Sequence, residues 1–325
     1  MSDCKFVTLL EERWKKGKFA CVGLDSELGK IPDCLKMQTS DSTSAVVKFN
    51  TEIIKTTAEH VCCFKPNGAF YLGEGTAGMT ALDRTFRIAG QLAPSIPLIL
   101  DLKVGDIGNT NRGYLKLLLE HLCGNAITVN PYVGAHWDPD PTKHDGLQIF
   151  LEEKDIGVFV LCRTSNKGAT AIQERPVIVG EAEFEHMQAL ATAVDWKGTA
   201  GGYIMPFYQY IALLVDRVWN RHGNCALVVG ANHPKQLAAV RELCPKIPIL
   251  IPAFGKQIQG EENIVKQTVF AGLDASGGGI ICNNSRNIIF ASGGENYAEA
   301  AGEAAKKFND EISGFVCDWH DAAKQ

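Results

Sequence analysis

Short apolar segments recur along the chain, and segments with helical spacing of apolar residues lie between several of them. Most of the apolar segments are rich in Val, Ile or Cys and lack strict alternation, which is typical of parallel strands buried on both faces. Eight strands are predicted, at residues 19–25, 61–65, 98–103, 126–130, 157–162, 226–230, 247–251 and 279–282. Strands that alternate with helices form parallel βαβ units, and eight such units close into a barrel. The pattern therefore predicts an α/β fold of the (β/α)8 TIM-barrel class.

Helices are predicted at residues 46–59, 79–92, 114–122 and 234–244, with a closing helix at 297–308. Two connections, residues 136–148 and 166–224, are longer than a minimal barrel needs, and we expect surface insertions there. The second contains a helix-like segment at 181–194 and an apolar segment at 203–218. Because no linker-like segment divides the chain, residues 1–325 are expected to form a single barrel domain.

Composition narrows the possible partners and compartments. The net charge is −5 with no run of basic residues, so nucleic acid is not an expected partner. No apolar segment reaches membrane-spanning length, and the first residues lack a signal-like apolar core, so a cytoplasmic protein without membrane contact is expected. The 11 cysteines show no Cys-x-x-Cys spacing, and many fall within predicted strands. We expect buried free thiols in a reducing compartment, not a zinc site or a disulfide framework.

Polar residues are dense at the ends of the predicted strands, where TIM barrels hold their catalytic side chains. They are Asp25, Lys65, Asn67, Asp101, Lys103, Asp106, Asn130, Thr164, Ser165, Asn232, Gln257 and Arg286. Any one of them alone could be a helix cap or a surface residue. Their shared placement predicts a functional site.

The densest group is Asp101, Lys103 and Asp106. On an extended backbone Asp101 and Lys103 point to the same face, and Asp106 follows where Gly105 allows a turn. This predicts one ammonium flanked by two carboxylates, with Lys65 facing it from the neighbouring strand. Nearby carboxylates favour the charged form of a lysine, whereas a Schiff-base lysine must become neutral. The cluster therefore favours a lysine that stays charged and donates a proton.

One motif points to a different class of protein. Residues 73–78 match the dinucleotide-binding pattern G-x-G-x-x-G. However, the preceding strand ends at Lys65, several residues too early, and the acidic partner would have to be Asp101, which belongs to the charged cluster. We therefore expect a flexible loop after the second strand, not a nucleotide-binding turn.

Taken in order, the motifs resemble the orotidine 5′-monophosphate decarboxylase family. Its D-x-K-x-x-D-I-x-x-T pattern is matched by Asp101, Lys103, Asp106, Ile107 and Thr110. Further matches, from about residue 20 to 290, are Gly23-Leu24-Asp25, Phe64-Lys65-Pro66-Asn67, Thr164-Ser165-Asn166, Val229-Gly230-Ala231-Asn232, Gln257 and Arg286. The residues around the charged pattern look closer to the longer branch of the family, seen in some bacteria and malaria parasites.

The resemblance implies decarboxylation of orotidine 5′-monophosphate to uridine 5′-monophosphate without a cofactor or metal, the last step of de novo pyrimidine synthesis. It implies Lys103 as the proton donor, with Lys65, Asp101 and Asp106 as further catalytic residues. It also implies a homodimer with shared active sites, because in this family Asp106 and Thr110 serve the partner subunit's site. The substrate-binding residues implied are Asp25, Asn67, Ile107, Thr110, Ser165, Gln257 and Arg286.

Two positions depart from the family pattern. The chain has Ala253 where relatives usually have glycine, and Ser285 where glycine often precedes Arg286. Alanine and serine tolerate positive φ poorly, so both departures bear on the backbone conformation of the phosphate loops.

Three other hypotheses about the function stay open at this point. An Mg²⁺-dependent phosphosugar decarboxylase of the same barrel group also carries D-x-K-x-x-D, and dependence on metal would distinguish it. A Schiff-base aldolase would allow borohydride trapping of Lys65 or Lys103. A barrel that only binds nucleotides is disfavoured, because all the charged residues of the pattern are present.

Overall fold

The computed structural model describes residues 4–180, 202–254 and 262–322. Its strands are β1 Ala20–Gly23, β2 Val61–Lys65, β3 Ile99–Val104, β4 Ala126–Val129, β5 Ala135–His136, β6 Asp145–Gly146, β7 Gly157–Arg163, β8 Pro176–Gly180, β9 Gly202–Pro206, β10 Cys225–Val229, β11 Ile249–Ile251 and β12 Ile280–Asn284. Its α-helices are α1 Lys5–Trp14, α2 Asp33–Met37, α3 Ser42–Thr57, α4 Gly68–Leu72, α5 Gly75–Leu92, α6 Gly108–Lys116, α7 Gln148–Leu151, α8 Thr170–Gln173, α9 Phe207–Leu214, α10 Pro234–Leu243, α11 Glu262–Gly272, α12 Arg286–Ile289 and α13 Tyr297–Ala322.

Eight of the strands form a parallel sheet that curves into a nearly closed barrel. They lie in the order β2-β1-β12-β11-β10-β7-β4-β3. Two isolated bridges, Phe64 with Leu98 and Asn67 with Asp101, bring β2 against β3 at the seam. The eight strands coincide with the predicted segments to within a few residues, and helices lie between them. The predicted (β/α)8 TIM-barrel class is confirmed.

Aromatic and aliphatic side chains fill the amino end of the barrel. Phe6 of α1 packs edge-on against Phe159 of β7, with ring centroids 5.4 Å apart. Gly157, the first residue of β7, makes this fit possible, because a Cβ there would lie 2.4 Å from the Phe6 ring. Leu10 of α1 is fully buried in the same inner cluster. The predicted polar residues that fall within the described ranges lie at the opposite, carboxyl end of the strands.

Several outer helices are confirmed but are longer than their patterns predicted. Helix α3 begins at Ser42 because the Asp41 carboxylate accepts a hydrogen bond from the Ser44 backbone N–H at 2.9 Å and so caps the helix. The closing helix runs to Ala322, since its buried face continues beyond the predicted end. The helix predicted at residues 181–194 lies outside the described residues.

The glycine-rich segment at residues 73–78 packs two helices together. Gly75 has φ +62° and begins α5 directly after α4, so the prediction of a flexible loop is wrong. A Cβ at Gly78 would lie 1.9 Å from the backbone oxygen of Tyr71 in α4. Close approach of the two helices, not phosphate binding, explains this glycine.

Each predicted insertion contains a short antiparallel hairpin. The first is formed by β5 and β6, and the second by β8 and β9. The apolar segment predicted at 203–218 comprises most of β9, then α9 and most of a π-helical turn, Val215–Trp219. That residues 1–325 form a single domain stays a prediction.

Eight of the eleven cysteines are buried, which confirms the predicted burial, and none of the cysteines in the described ranges is in a disulfide. Cys123 and Cys317 are exposed. Across the three described ranges, no helix combines the length and the apolar character needed to span a membrane.

Candidate active site

A buried carboxylate lies between two ammonium groups at the seam of the barrel. Lys65 Nζ, at the end of β2, is 3.0 Å from one oxygen of Asp101. Lys103 Nζ is 2.6 Å from the other oxygen. The side chains of Lys65 and Asp101 are 5% and 7% exposed, whereas Lys103 is 46% exposed. Asp101 is therefore enclosed by the protein, and only Lys103 faces the open end of the barrel.

Thr128 of β4 holds this arrangement in place. Its hydroxyl donates to an oxygen of Asp101 at 2.8 Å and accepts hydrogen bonds from the backbone N–H groups of Leu102 and Lys103, at 3.1 and 2.9 Å. Lys103 itself has φ +52°, in the left-handed region, where the pairing of β3 with β4 is irregular. Asp101 and Lys103 thus meet through a local distortion, not through the extended backbone that we predicted.

The charges of Lys65 and Asp101 stabilise each other. Burial alone would lower the pKa of Lys65, but the carboxylates of Asp101 and Asp25 raise it above the ordinary lysine value. Burial alone would likewise raise the pKa of Asp101, but Lys65 and Lys103 bring it well below the ordinary range. Both groups are charged throughout the neutral pH range.

Asp106 does not complete the predicted group around Lys103. Its side chain is half-buried, and one carboxylate oxygen accepts a hydrogen bond from the backbone N–H of Ile107 at 2.7 Å. In the described structure, Lys103 pairs with Asp101 and not with Asp106. The predicted flanking of one ammonium by two carboxylates is therefore wrong within a single chain. The observed order is the reverse, one carboxylate between two ammonium groups.

Asp25 offers a buried oxygen with no hydrogen-bond partner among the described residues. The segment carrying it is held by a buried polar network: Ser26 donates to Asn50, and Asn50 donates to the hydroxyl of Tyr71, at 2.5 and 3.0 Å. The Tyr71 hydroxyl in turn donates to the backbone oxygen of Leu24 at 2.9 Å. Asp25 is thus held in position by its neighbours and can accept a hydrogen bond from a ligand hydroxyl.

Ser165 lies on a segment that is tied down from three sides. Arg163, only 1% exposed, pairs with Glu174 at 2.8 Å and donates to the Thr164 backbone oxygen. Gln173 accepts from the Thr164 backbone N–H at 2.8 Å, and the Asn232 amide donates to the Ser165 backbone oxygen at 3.1 Å. The sequence analysis singled out Asn232 but missed Arg163, Gln173 and Glu174. For Arg163, the signal was a charged residue that ends an otherwise apolar strand.

The remaining predicted residues are distributed along the rim of the barrel. Asn67 caps α4 by accepting from the Ala69 backbone N–H at 3.2 Å, and Arg286 is exposed at the start of α12. Ile107 and Thr110 are exposed at the beginning of α6, and Ile107 is 63% exposed. Gln257 lies outside the described residues.

Residues 21–301 match the family described as the orotidine 5′-phosphate decarboxylase / HUMPS family. The chain belongs to this family.

Decarboxylases of this family are similar to the chain over nearly their whole length. The orotidine 5′-phosphate decarboxylase of Janthinobacterium sp. (strain Marseille) is 38% identical over 315 residues, covering 96% of this chain and 99% of the relative. That of Thermomicrobium roseum is 39% identical over 293 residues, covering 90% and 89%. The solved structure of Leishmania donovani OMP decarboxylase is 31% identical, with a TM-score of 0.71, covering 97% and 99%.

The two positions that depart from the pattern of the orotidine 5′-phosphate decarboxylase family, Ala253 and Ser285, differ in backbone conformation. Ala253 has φ +79°, in the left-handed region that favours glycine, although alanine carries a Cβ. Ser285 has φ −112°, outside the left-handed region that favours glycine. A positive φ is therefore not a reason for glycine before Arg286.

Proposed function

We propose that the protein catalyses decarboxylation of orotidine 5′-monophosphate to uridine 5′-monophosphate, acting as a carbon–carbon lyase. The observation that carries the proposal is the array of Lys65, Asp101 and Lys103 at the open end of a barrel that belongs to the decarboxylase family. Within the described ranges, no cluster of three or more His, Cys, Asp or Glu side chains is arranged to hold a metal ion.

The array suggests how the carbon–carbon bond is broken. Asp101 stays ionised because two ammonium groups hold it so, and the carboxylate of the substrate would lie beside it. Two such charges about 4 Å apart repel by about 4 kcal/mol at an effective dielectric near 20, and departure of CO₂ relieves this repulsion. The bonding electron pair stays on the pyrimidine ring carbon. The Lys103 ammonium stabilises that charge and then transfers its proton to the same carbon.

The other polar residues divide among the parts of the nucleotide. Arg286 at the start of α12, together with Gln257, would hold the phosphate. Asp25, with its unpaired oxygen, would accept a hydrogen bond from a ribose hydroxyl, and it lies close enough to Lys65 to favour the charged form of that lysine. Ser165, on its fixed segment, would contact the pyrimidine. We assign Asn67, Ile107 and Thr110 to the same substrate-binding set.

We further propose a homodimer in which Asp106 and Thr110 complete the active site of the other subunit. Asp106 has no ion pair with Lys103 of its own chain. Apolar side chains nearby are exposed: Ile107 is 63% exposed and Tyr132 is 85% exposed. Such a patch is typical of a surface that a second subunit covers. The free thiols on the surface fit a cytoplasmic enzyme.

The proposed reaction can be tested by mixing the protein with orotidine 5′-monophosphate and following the ultraviolet absorbance. We expect the absorbance to fall at the same rate with and without EDTA. Restoration of activity by Mg²⁺ alone, together with turnover of an acyclic sugar phosphate, would instead identify a phosphosugar decarboxylase. Borohydride trapping of substrate on Lys65 or Lys103 would indicate an aldolase.

Hybrid dimers test the shared site. Lys103→Ala and Asp106→Asn chains carrying different affinity tags are co-expressed, and the mixed dimer is purified through both tags. One of its two sites has both residues intact, so we expect about half of the wild-type activity although each parent homodimer is nearly inactive. A hybrid as inactive as its parents would show that Lys103 and Asp106 act within one chain.

A further inference from the structure

The hairpin formed by β5 and β6 is fastened to the start of α6. Asp145 accepts a hydrogen bond from the Gly108 backbone N–H at 2.6 Å. Backbone N–H groups of Gly108 and Gly146 lower the pKa of Asp145, so it acts as an ionised cap at the beginning of the helix. The contact joins the first insertion to the segment that carries Ile107 and Thr110.

Asn111 makes a second connection from inside. It is completely buried, and its side-chain amide donates to the backbone oxygens of Asp106 and Gly146, at 2.5 and 2.7 Å. One side-chain amide therefore fixes the Asp106 backbone directly to the hairpin. Losing it would leave two carbonyl groups without this donor, at a site closed to water.

The hairpin and α6 pack so closely that a Cβ atom could not be accommodated between their backbones. A Cβ at Gly108 would lie 2.5 Å from the backbone oxygen of His144. Within the hairpin, Gly146 has φ +59°, and a Cβ there would lie 2.5 Å from the backbone oxygen of Gly134. A second contact holds the hairpin to the residue that follows α7, because the indole N–H of Trp137 donates a hydrogen bond to Glu152 at 2.7 Å. A movement of the hairpin would be passed on to Asp106.

We propose that the hairpin at residues 135–146 is a positioning element, which sets the orientation of the segment from Asp106 to Thr110 for use by the partner subunit. The inference rests on the shared-site dimer proposed above. Asp145 and Asn111 are positioning residues in this arrangement, since they act through Asp106 and do not contact substrate. Their effect would therefore appear in the active site of the other subunit.

Asp145→Ala is expected to lower kcat/KM about tenfold or more, because small displacements of catalytic groups cost this much. The matched control is Asp140→Ala. Asp140 is an acidic residue of the same hairpin, and it caps a different turn by accepting from the Thr142 backbone N–H at 3.0 Å. The control removes the same charge and is expected to leave kcat/KM within about twofold of wild type, since the Asp145 contact with α6 stays intact.

The decisive measurement places Asp145→Ala on one chain of the Lys103→Ala and Asp106→Asn hybrid. The intact site uses Lys103 of the Asp106→Asn chain and Asp106 of the Lys103→Ala chain. Adding Asp145→Ala to the Lys103→Ala chain should therefore lower the activity of the hybrid, whereas adding it to the Asp106→Asn chain should not. Asn111→Ala, placed in the same two ways, provides a second and independent test.

Each outcome is informative. A loss confined to the Lys103→Ala chain supports the inference. An equal loss from both placements would indicate that Asp145 has a general structural role. No loss from either placement would show that the hairpin does not position Asp106. Either of these two results would overturn the inference and leave the shared site intact. A hybrid that is inactive even with unaltered hairpins would refute the shared site, and the inference with it.

Discussion

Lys103→Ala is expected to lower kcat by about 10⁴-fold or more, because the variant loses the group proposed both to donate the proton and to stabilise the developing carbanion. Steady-state kinetics with orotidine 5′-monophosphate would measure the loss. Binding of uridine 5′-monophosphate, measured by calorimetry, should change much less, since Arg286 and the phosphate loops are untouched. The effect would thus fall on the chemical step rather than on nucleotide binding.

The matched control for this variant is Lys116→Ala. Lys116 is an exposed lysine of α6 whose ammonium lies 3.7 Å from Glu120. Its loss removes the same charge and should leave kcat unchanged. If Lys103→Ala kept near wild-type kcat, the proposed proton donor would be wrong.

Asp101→Asn is expected to reduce both activity and stability. The variant removes the charge that both lysines share and leaves Lys65, only 5% exposed, without the carboxylate at 3.0 Å. Breaking a buried ion pair in this way costs about 3–5 kcal/mol of unfolding free energy. Removal of the charge proposed to lie next to the substrate carboxylate should lower kcat by about 10²-fold or more. Urea denaturation and steady-state kinetics would measure the two effects.

The stability difference between wild type and Asp101→Asn should depend on pH in a defined direction. The lowered pKa of Asp101 means that its contribution is complete above the ordinary value of about 3.9 and is lost as the pH falls through the folded-state pKa. The raised pKa of Lys65 means that its contribution is complete below about 10.4 and is lost only at higher pH. The difference should be largest near neutral pH and shrink below about pH 4.

Asp83→Asn serves as the control for stability. Asp83 pairs with Arg87 at 2.9 Å on the exposed face of α5. Exposed pairs contribute about 1 kcal/mol or less, so this variant should unfold nearly as the wild type does. A comparably small loss in Asp101→Asn would contradict the stabilising role assigned to the buried pair.

The barrel was predictable from the sequence because a strand that is buried on both faces can be recognised from its own apolar composition. The positions of Lys65, Asp101 and Lys103 at strand ends were predictable for the same reason. Their pairing was not. Which of two carboxylates contacts Lys103 depends on the left-handed conformation at Lys103 itself and on the seam between β2 and β3, and neither leaves a periodic pattern.

Thr128 shows where sequence reasoning could have gone further. It is the one hydroxyl-bearing residue in the four-residue strand β4, otherwise Ala, Ile and Val, and it is 1% exposed. A buried hydroxyl needs hydrogen-bond partners, which here are Asp101 and two backbone N–H groups. The pattern predicted the apolar strand correctly, but attention to its single polar exception would have located the support of the site. The role proposed for the hairpin could not be found in this way, since it depends on contacts between segments about 35 residues apart.

The location of the two exposed thiols has a practical consequence for chemical modification. Cys123 precedes β4, and Cys317 lies near the end of α13, whose residue His320 approaches Gly277 ahead of β12. Both sulfur atoms are therefore at the amino end of the barrel, opposite the array of Lys65, Asp101 and Lys103. A fluorophore or a surface linker attached to either sulfur atom would lie on the side of the barrel opposite this array. Immobilisation through these thiols would therefore leave the array facing solution.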